Sequence, residues 1–205
     1  MITDDIKLFL PKYLSSESEK ELFEGLKDFP NNIDERLYTN HLSDNEYIYQ
    51  GDGLQDFLVV NLPDPTVKEV PCMIISNSCD IDLGNERNFP SQIVYAPIFK
   101  LDRYSETLHN KSQKSKEQIE SHIEAIRQQR ITQIFFLPGV KDVIEESIVF
   151  LDRVCNYPNK IVERDKTKER RMFTLSDYGS YLFVLKLSIH FTRIQDKVER
   201  KSTQI

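Results

Sequence analysis

The chain has 205 residues, 39% hydrophobic and 29% charged, with 27 Lys and Arg against 33 Asp and Glu for a net charge of −6. That length suits one domain of good size, and the charge excludes a surface that holds DNA non-specifically, because phosphate attraction needs a basic face. The longest apolar runs are about five residues where a membrane-spanning helix needs about 20, and no basic region followed by an apolar one opens the chain, so neither a membrane span nor a signal peptide is expected.

Residues 3–29 read as helical. Ile6, Phe9 and Leu10 form a small apolar face, Pro11 ends or bends that piece, and Ser16 or Ser18 caps the next. Leu22, Phe23 and Leu26 then recur at helical spacing until Phe29-Pro30-Asn31-Asn32 stops the helix. Residues 31–50 read as a short helix followed by loop. Residues 1–50 thus form a helical N-terminal extension, with 5 Lys and Arg against 11 Asp and Glu. The acidic excess resides there.

Beyond Gly51 the pattern changes to strands. Phe57–Leu62, Cys72–Asn77, Gln92–Ile98, Ile131–Leu137 and Ser147–Val154 are short runs rich in Val, Ile, Phe and Tyr, separated by turn formers such as Pro63-Asp-Pro and Pro138-Gly139. Several are apolar on both faces, as strands covered on both sides or closed into a small barrel must be. Residues 103–130 interrupt them as a polar inserted arm. Within it Ile119, Ile123 and Ile126 form a narrow helical stripe, which fits either a surface helix seated along one seam or a partner-binding arm. Lys160–Arg171 holds six basic and three acidic residues and reads as a solvated loop or a local basic face. Thr174-Leu-Ser-Asp177 has the spacing of a capping box, and a long helix over 175–194 follows, with Leu182, Leu185, Ile189 and Phe191 as its packing stripe and Phe183 and Val184 adding width. Residues 195–205 read as a flexible tail.

The fold class expected is therefore α+β. A small, strongly curved antiparallel sheet or barrel over 51–194 carries N-terminal helices, an inserted helix and a long C-terminal helix.

The densest chemistry follows the Cys72–Ile75 run. Ser76, Ser78, Cys79, Asp80 and Asp82 crowd one turn. Cys79 suits a nucleophile, and Asp80 and Asp82 suit a base or a metal ligand. Equally, Ser, Asn and Asp shape turns by bonding to backbone, with Cys79 as a small buried apolar group. Ser78, Cys79, Asp80 and Asp82 are the candidate catalytic residues. Arg153 and Arg193 stand where apolar elements emerge and are candidate phosphate-binding groups, or snorkelling arginines paired with carboxylates. The odd set Cys72, Cys79 and Cys155 has no C-x-x-C spacing and reads as reduced thiols of a cytoplasmic protein. His41, His109, His122 and His190 follow no zinc-ligand spacing, and no glycine-rich phosphate loop occurs, so neither metal nor cofactor is expected.

Gly51-Asp52, Phe57–Pro63, Pro71–Asn77 and Ile93–Ile98 occur in an order that resembles the opening of the MazF/PemK toxin ribonucleases. Phe135–Pro138 and Ile148–Arg153 are compatible with the later part. The resemblance implies a small barrel of the Src-homology-3 type. It covers about 50 residues closely and about 130 loosely. The family's catalytic arginine would fall at Val70 and its Thr or Ser at Phe99, so both groups that hold and cleave RNA are missing here.

The expectation for function is a prokaryotic, toxin-like or phage-defence-related interaction or regulatory module that binds a protein partner or a nucleic acid, RNA in particular. No membrane partner is expected, and a homo-oligomer is compatible. The alternative is an endoribonuclease with a rebuilt site at residues 76–82. A third reading is an antitoxin or immunity protein whose acidic N-terminal segment meets a basic partner.

Overall fold

A computed structural model describes residues 16–192. The expectations for residues 3–15, for Arg193 and for the tail at 195–205 lie outside the described residues, as do the side chains of Ser16 and Ser18. The elements begin with α1 (Ser16–Asp28), a 3₁₀ turn (Glu35–Leu37) and β1 (Tyr38–Thr39). Next come β2 (Gly53–Asn61), β3 (Thr66–Ile74), α2 (Ser78–Ile81) and β4 (Gln92–Lys100). The inserted arm holds two helices, α3 (Leu101–Lys111) and α4 (Lys116–Arg127). Then follow β5 (Ile134–Leu137), β6 (Ser147–Phe150), β7 (Cys155–Pro158), α5 (Thr167–Arg170), β8 (Arg171–Leu175) and α6 (Asp177–Thr192).

The protein is α+β. Its eight strands form one antiparallel sheet in the order β1-β8-β2-β3-β4-β6-β5, with β7 also paired to β4. This path has two free ends, β1 and β5, so strand pairing does not close the expected barrel. The sheet curls nonetheless. The Tyr95 hydroxyl on β4 donates to the Leu58 carbonyl on β2 at 2.5 Å. In a flat sheet those strands stand roughly 9.5 Å apart with side chains perpendicular to them, out of reach.

The doubly apolar strands are legible as period-two sorting between three cores. Phe135, Leu137, Val149, Met73 and Ala96 enter the core beneath α6. Their neighbours Ile134, Phe136, Ile148 and Phe150 enter a second core with Ile119, Ile123 and Ile126 of α4. Cys72, Ile74, Ile93 and Tyr95 face the hollow of the curl with Leu54 and Phe57. The isoleucine stripe is thus a seam against β5 and β6.

Strand bounds depart from expectation, and prolines mark two of the irregularities. The run read as Ser147–Val154 stops at Phe150, and β7 begins at Cys155. Val94 exchanges bonds with Ile75 and Ser76, so by alternation the nitrogen of Pro97 faces the β6–β7 side. Proline has no N–H to offer there, and residues 151–154 loop out of the ladder. Pro71, conversely, lies inside β3, opposite a register shift between Leu54 and Phe57 where Asp56 takes φ 62°. That bulge accommodates the proline. The Ile131–Leu137 run is shorter than expected and starts as strand at Ile134.

The C-terminal helix also differs. Thr174 is buried in β8, and the cap is Ser176, whose Oγ accepts the Gly179 N–H at 3.1 Å. Val184, Leu185, Ile189 and Phe191 of the expected stripe are exposed, and the buried face is Gly179, Leu182, Phe183, Lys186 and Leu187. Gly179 is required there, because a Cβ would lie 2.2 Å from the Leu37 carbonyl oxygen. Lys186 reverses the usual burial rule. Among the described residues its ammonium donates to the backbone carbonyl and the side-chain Oε1 of Gln129, and burial pushes its pKa down to about 7.

Near the opposite end of the sheet, Asp52 and Arg171 form a buried ion pair at 3.2 Å. Arg171 also donates to the carbonyls of Leu42, Ser43, Asn45 and Tyr47. Asp52 accepts the Tyr49 N–H at 2.9 Å, and burial raises its pKa against the opposing pull of that bond and of Arg171. Gly51 precedes it at φ 90°, where a Cβ would strike Leu175. One guanidinium therefore binds the whole 42–47 loop to β8.

Two outcomes follow for stability. The unfolded chain binds more protons at Lys186 than the folded one between about pH 7 and 10.5, so stability rises with pH across that window. From pH 7 to 9 the rise in chemical-denaturation experiments is about 2 kcal/mol, and Lys186→Met flattens that part of the slope. Asp52→Ala leaves the Arg171 guanidinium buried and unpaired, and denaturant titration is expected to show a loss of about 3–5 kcal/mol.

Candidate functional site

The turn after β3 is built by side chains that bond to backbone. Ile75 and Ser76 donate their N–H groups to the Val94 carbonyl, and Ser76 Oγ accepts the Val94 N–H at 2.7 Å. This extends the β3–β4 pairing beyond the strand. Asn77 then caps the four-residue α2, its Oδ1 accepting the Cys79 N–H at 2.9 Å. Ser78 Oγ accepts the Gln50 N–H at 2.9 Å, while Gln50 Nε2 donates to the Ile75 carbonyl at 2.7 Å. Asp82 Oδ1 accepts the Gly84 N–H at 2.9 Å.

So short a helix leaves its carbonyls without partners of its own. Asn85 and Arg87 donate to the Cys79 carbonyl at 2.7 and 3.2 Å. Asn159 and Arg164 donate to the Ile81 carbonyl at 2.9 and 3.1 Å. Arg164 also donates to the side chain of Asn159. Burial lowers the pKa of Arg164, with Asp82 opposing, and its Nη1 has no partner among the described residues.

Beside this turn lies a cleft of about 480 Å³. Ser78, Cys79 and Asp82 form one wall, and Tyr47 and Tyr49 form another, with Leu83 and Arg164 beside them. Tyr47 and Leu83 remain 62% and 55% exposed, so the cleft presents apolar surface to solvent.

Of the expected site residues, the fold therefore groups Ser78, Cys79 and Asp82. Asp80 is turned to a surface ion pair with Arg87 at 2.9 Å. Arg153 is not part of the cleft. It sits in the loop between β6 and β7 with its guanidinium 4.2 Å from the centre of the Phe150 ring and 5.5 Å from that of Phe99. Arg193 lies outside the described residues. Cys79, expected to be buried if the turn is scaffolding, is exposed, while Cys72 is buried and burial raises its pKa. Neither His109 nor His122 lines the cleft, and His122 Nε2 instead lies 3.1 Å from the Tyr104 hydroxyl.

The arginine that does reach the turn is Arg164, which sequence reasoning left inside the basic run of 160–171. Nothing local marks it out from its neighbours. In the fold that run is largely neutralised. Lys166 and Arg170 pair with Glu163 at 2.8 and 3.2 Å, Lys168 with Glu46 at 3.8 Å, and Arg171 with Asp52. Among the described residues no group of three or more His, Cys, Asp and Glu side chains is placed to hold a metal ion, and no helix is long and apolar enough to cross a membrane.

No protein-family model matches this sequence, and neither does any curated protein.

The burial of the three thiols sets their order of reaction. A disulfide reagent at neutral pH is expected to modify Cys79 first, Cys155 more slowly and Cys72 only on unfolding. Cys79→Ser removes the fast phase; a fast phase that persists in that variant would contradict the placement.

Proposed function

We propose that this chain is a toxin-like or phage-defence-related binding module, and that it works by holding a protein partner in the cleft beside α2 rather than by turnover. The observation that carries this reading is the commitment of the turn's polar groups. Ser76, Asn77, Ser78 and Asp82 each accept a backbone N–H, and Asp80 is paired with Arg87. Its exposed thiol apart, such a turn acts as a scaffold, and the cleft beside it presents the apolar surface of Tyr47 and Leu83. An exposed tyrosine beside an apolar cleft suits an anchoring side chain from a partner. Neutralisation of the 160–171 run favours a protein over a nucleic acid, because phosphate binding draws on unpaired cations. The resemblance of residues 51–98 to the MazF/PemK toxins supports the biological setting, and the curl of β2, β3, β4 and β7 is compatible with its small barrel.

One observation favours the endoribonuclease as a second reading. The Cys79 thiol, the Asp82 carboxylate and Arg164 share one cleft. In that chemistry Cys79 or Asp82 takes the proton of the ribose 2′-hydroxyl as its oxygen bonds to phosphorus, Arg164, in place of Arg153, meets the developing phosphate charge, and the bond from phosphorus to the 5′-oxygen breaks as that oxygen takes a proton from water.

The discriminating experiment incubates the protein with mixed RNA and DNA, with and without Mg²⁺ or Mn²⁺. In parallel, a photo-crosslinker is attached at Cys79 in extracts of the native host. The binding module yields no cleavage and one discrete crosslinked protein, lost in Tyr47→Ala and Leu83→Ala. RNA cleavage that disappears in Cys79→Ala or Asp82→Ala overturns it in favour of the enzyme.

A further inference from the structure

A groove of about 720 Å³ lies between α1, the segment around β1 and the start of α6. Leu22, Leu42, Leu175 and Tyr178 contribute to its wall, and more of that wall is apolar than polar. Its charge is acidic. Glu21, Glu24 and Asp28 recur at i, i+3 and i+7 along one face of α1, and Asp177 adds a fourth carboxylate from α6. All four residues are exposed. None of them takes part in an ion pair among the described residues, although carboxylates elsewhere in the protein do. The basic side chains of the groove are Arg36 and His41, and Arg36 is clamped on Asp34 by bonds of 2.8, 2.9 and 3.1 Å.

Asp177 is accounted for by its own helix, because it stands in the first turn of α6, at the positive end of the dipole. The three carboxylates of α1 have no such account. Like charges three and four residues apart repel. Asp28 also closes α1 at the end where the helix dipole is already negative. Lys27 in the same turn does not line the groove. A row of this kind costs α1 stability until positive charge lies against it. That charge is not one metal ion, since among the described residues no three His, Cys, Asp and Glu side chains are placed to hold one. The carboxylates are spaced for several cations rather than gathered on one.

We propose that this groove is a docking surface for a basic segment of a partner protein, one that carries lysine or arginine at alternate positions. The row from Glu21 to Asp28 is about 10 Å long at the rise of a helix, roughly the reach of three extended residues. Two cationic heads on such a segment meet the row, and their aliphatic stems lie on the apolar wall. A nucleic acid is disfavoured, because its phosphates meet carboxylates here. The groove shares no lining residue with the cleft beside α2, so the two bindings stand or fall separately.

The probe is a short fluorescein-labelled peptide of alternating lysine and leucine, titrated with the full chain and followed by fluorescence anisotropy. It is expected to bind at micromolar concentration and to weaken as salt rises. The double variant Glu24→Lys, Asp28→Lys weakens it about tenfold. Both positions are exposed, and a lysine in place of Asp28 suits the helix end, so denaturant titration should show no loss of stability. Glu86→Lys with Glu106→Lys makes the same change in net charge away from both the groove and the cleft, and leaves binding within twofold. Tyr47→Ala, in the cleft, also leaves it unchanged. Absence of peptide binding overturns the proposal, as does an equal loss in the Glu86 and Glu106 variant. Equal binding by a lysine–serine peptide overturns the groove as the seat. Displacement by spermine at concentrations equal to the peptide's overturns the protein segment in favour of a polyamine.

Discussion

The buried pair of Asp52 and Arg171 is the constraint on which the rest of this structure depends. Taking two charges out of water is costly, and the cost is offset only when the remaining hydrogen-bonding capacity is filled. Here four loop carbonyls and one backbone N–H fill most of it. The pair thereby converts an irregular segment into a fixed one. Ile74 donates to the Asp52 carbonyl and Gly51 to that of Ile74, so the same residue ties the loop to the end of β3. Gln50 is delivered to Ser78 as a result, and the wall of the cleft is assembled from two distant parts of the chain.

That arrangement underlies the proposed reading of the Ser76–Asp82 turn as a frame. A hydroxyl or carboxylate that accepts a backbone N–H is held where the backbone needs it. What remains available in the cleft is shape, apolar surface, one thiol and one arginine, a set suited to recognition. Fold and function are separable in any case, so a framework by itself does not fix the chemistry it carries.

Lys186 and Gln129 form a second polar knot in an apolar setting. Gln129 adopts φ 57° and brackets Phe136 with both ends of its amide, at 2.7 and 3.1 Å. Lys186 then closes on Gln129 from α6. The knot joins the arm, β5 and the C-terminal helix at one point. It specifies their mutual position, which apolar packing alone leaves free to slide.

By itself the sequence determined what depends on local periodicity. The α+β class, the doubly buried strands and the isoleucine seam of α4 all follow from spacings of two, three and four residues, because backbone geometry maps such spacings onto faces. Composition likewise marked the Ser76–Asp82 turn. Only the tertiary structure decided which charges meet. Arg171 finds Asp52 across 119 positions and Arg164 finds Ile81 across 83. It also decided that Arg153 stacks on Phe150, and that α6 buries a lysine while exposing Val184, Leu185, Ile189 and Phe191. Pairings of that kind are set by how the sheet curls and where its loops return, and no local pattern encodes either.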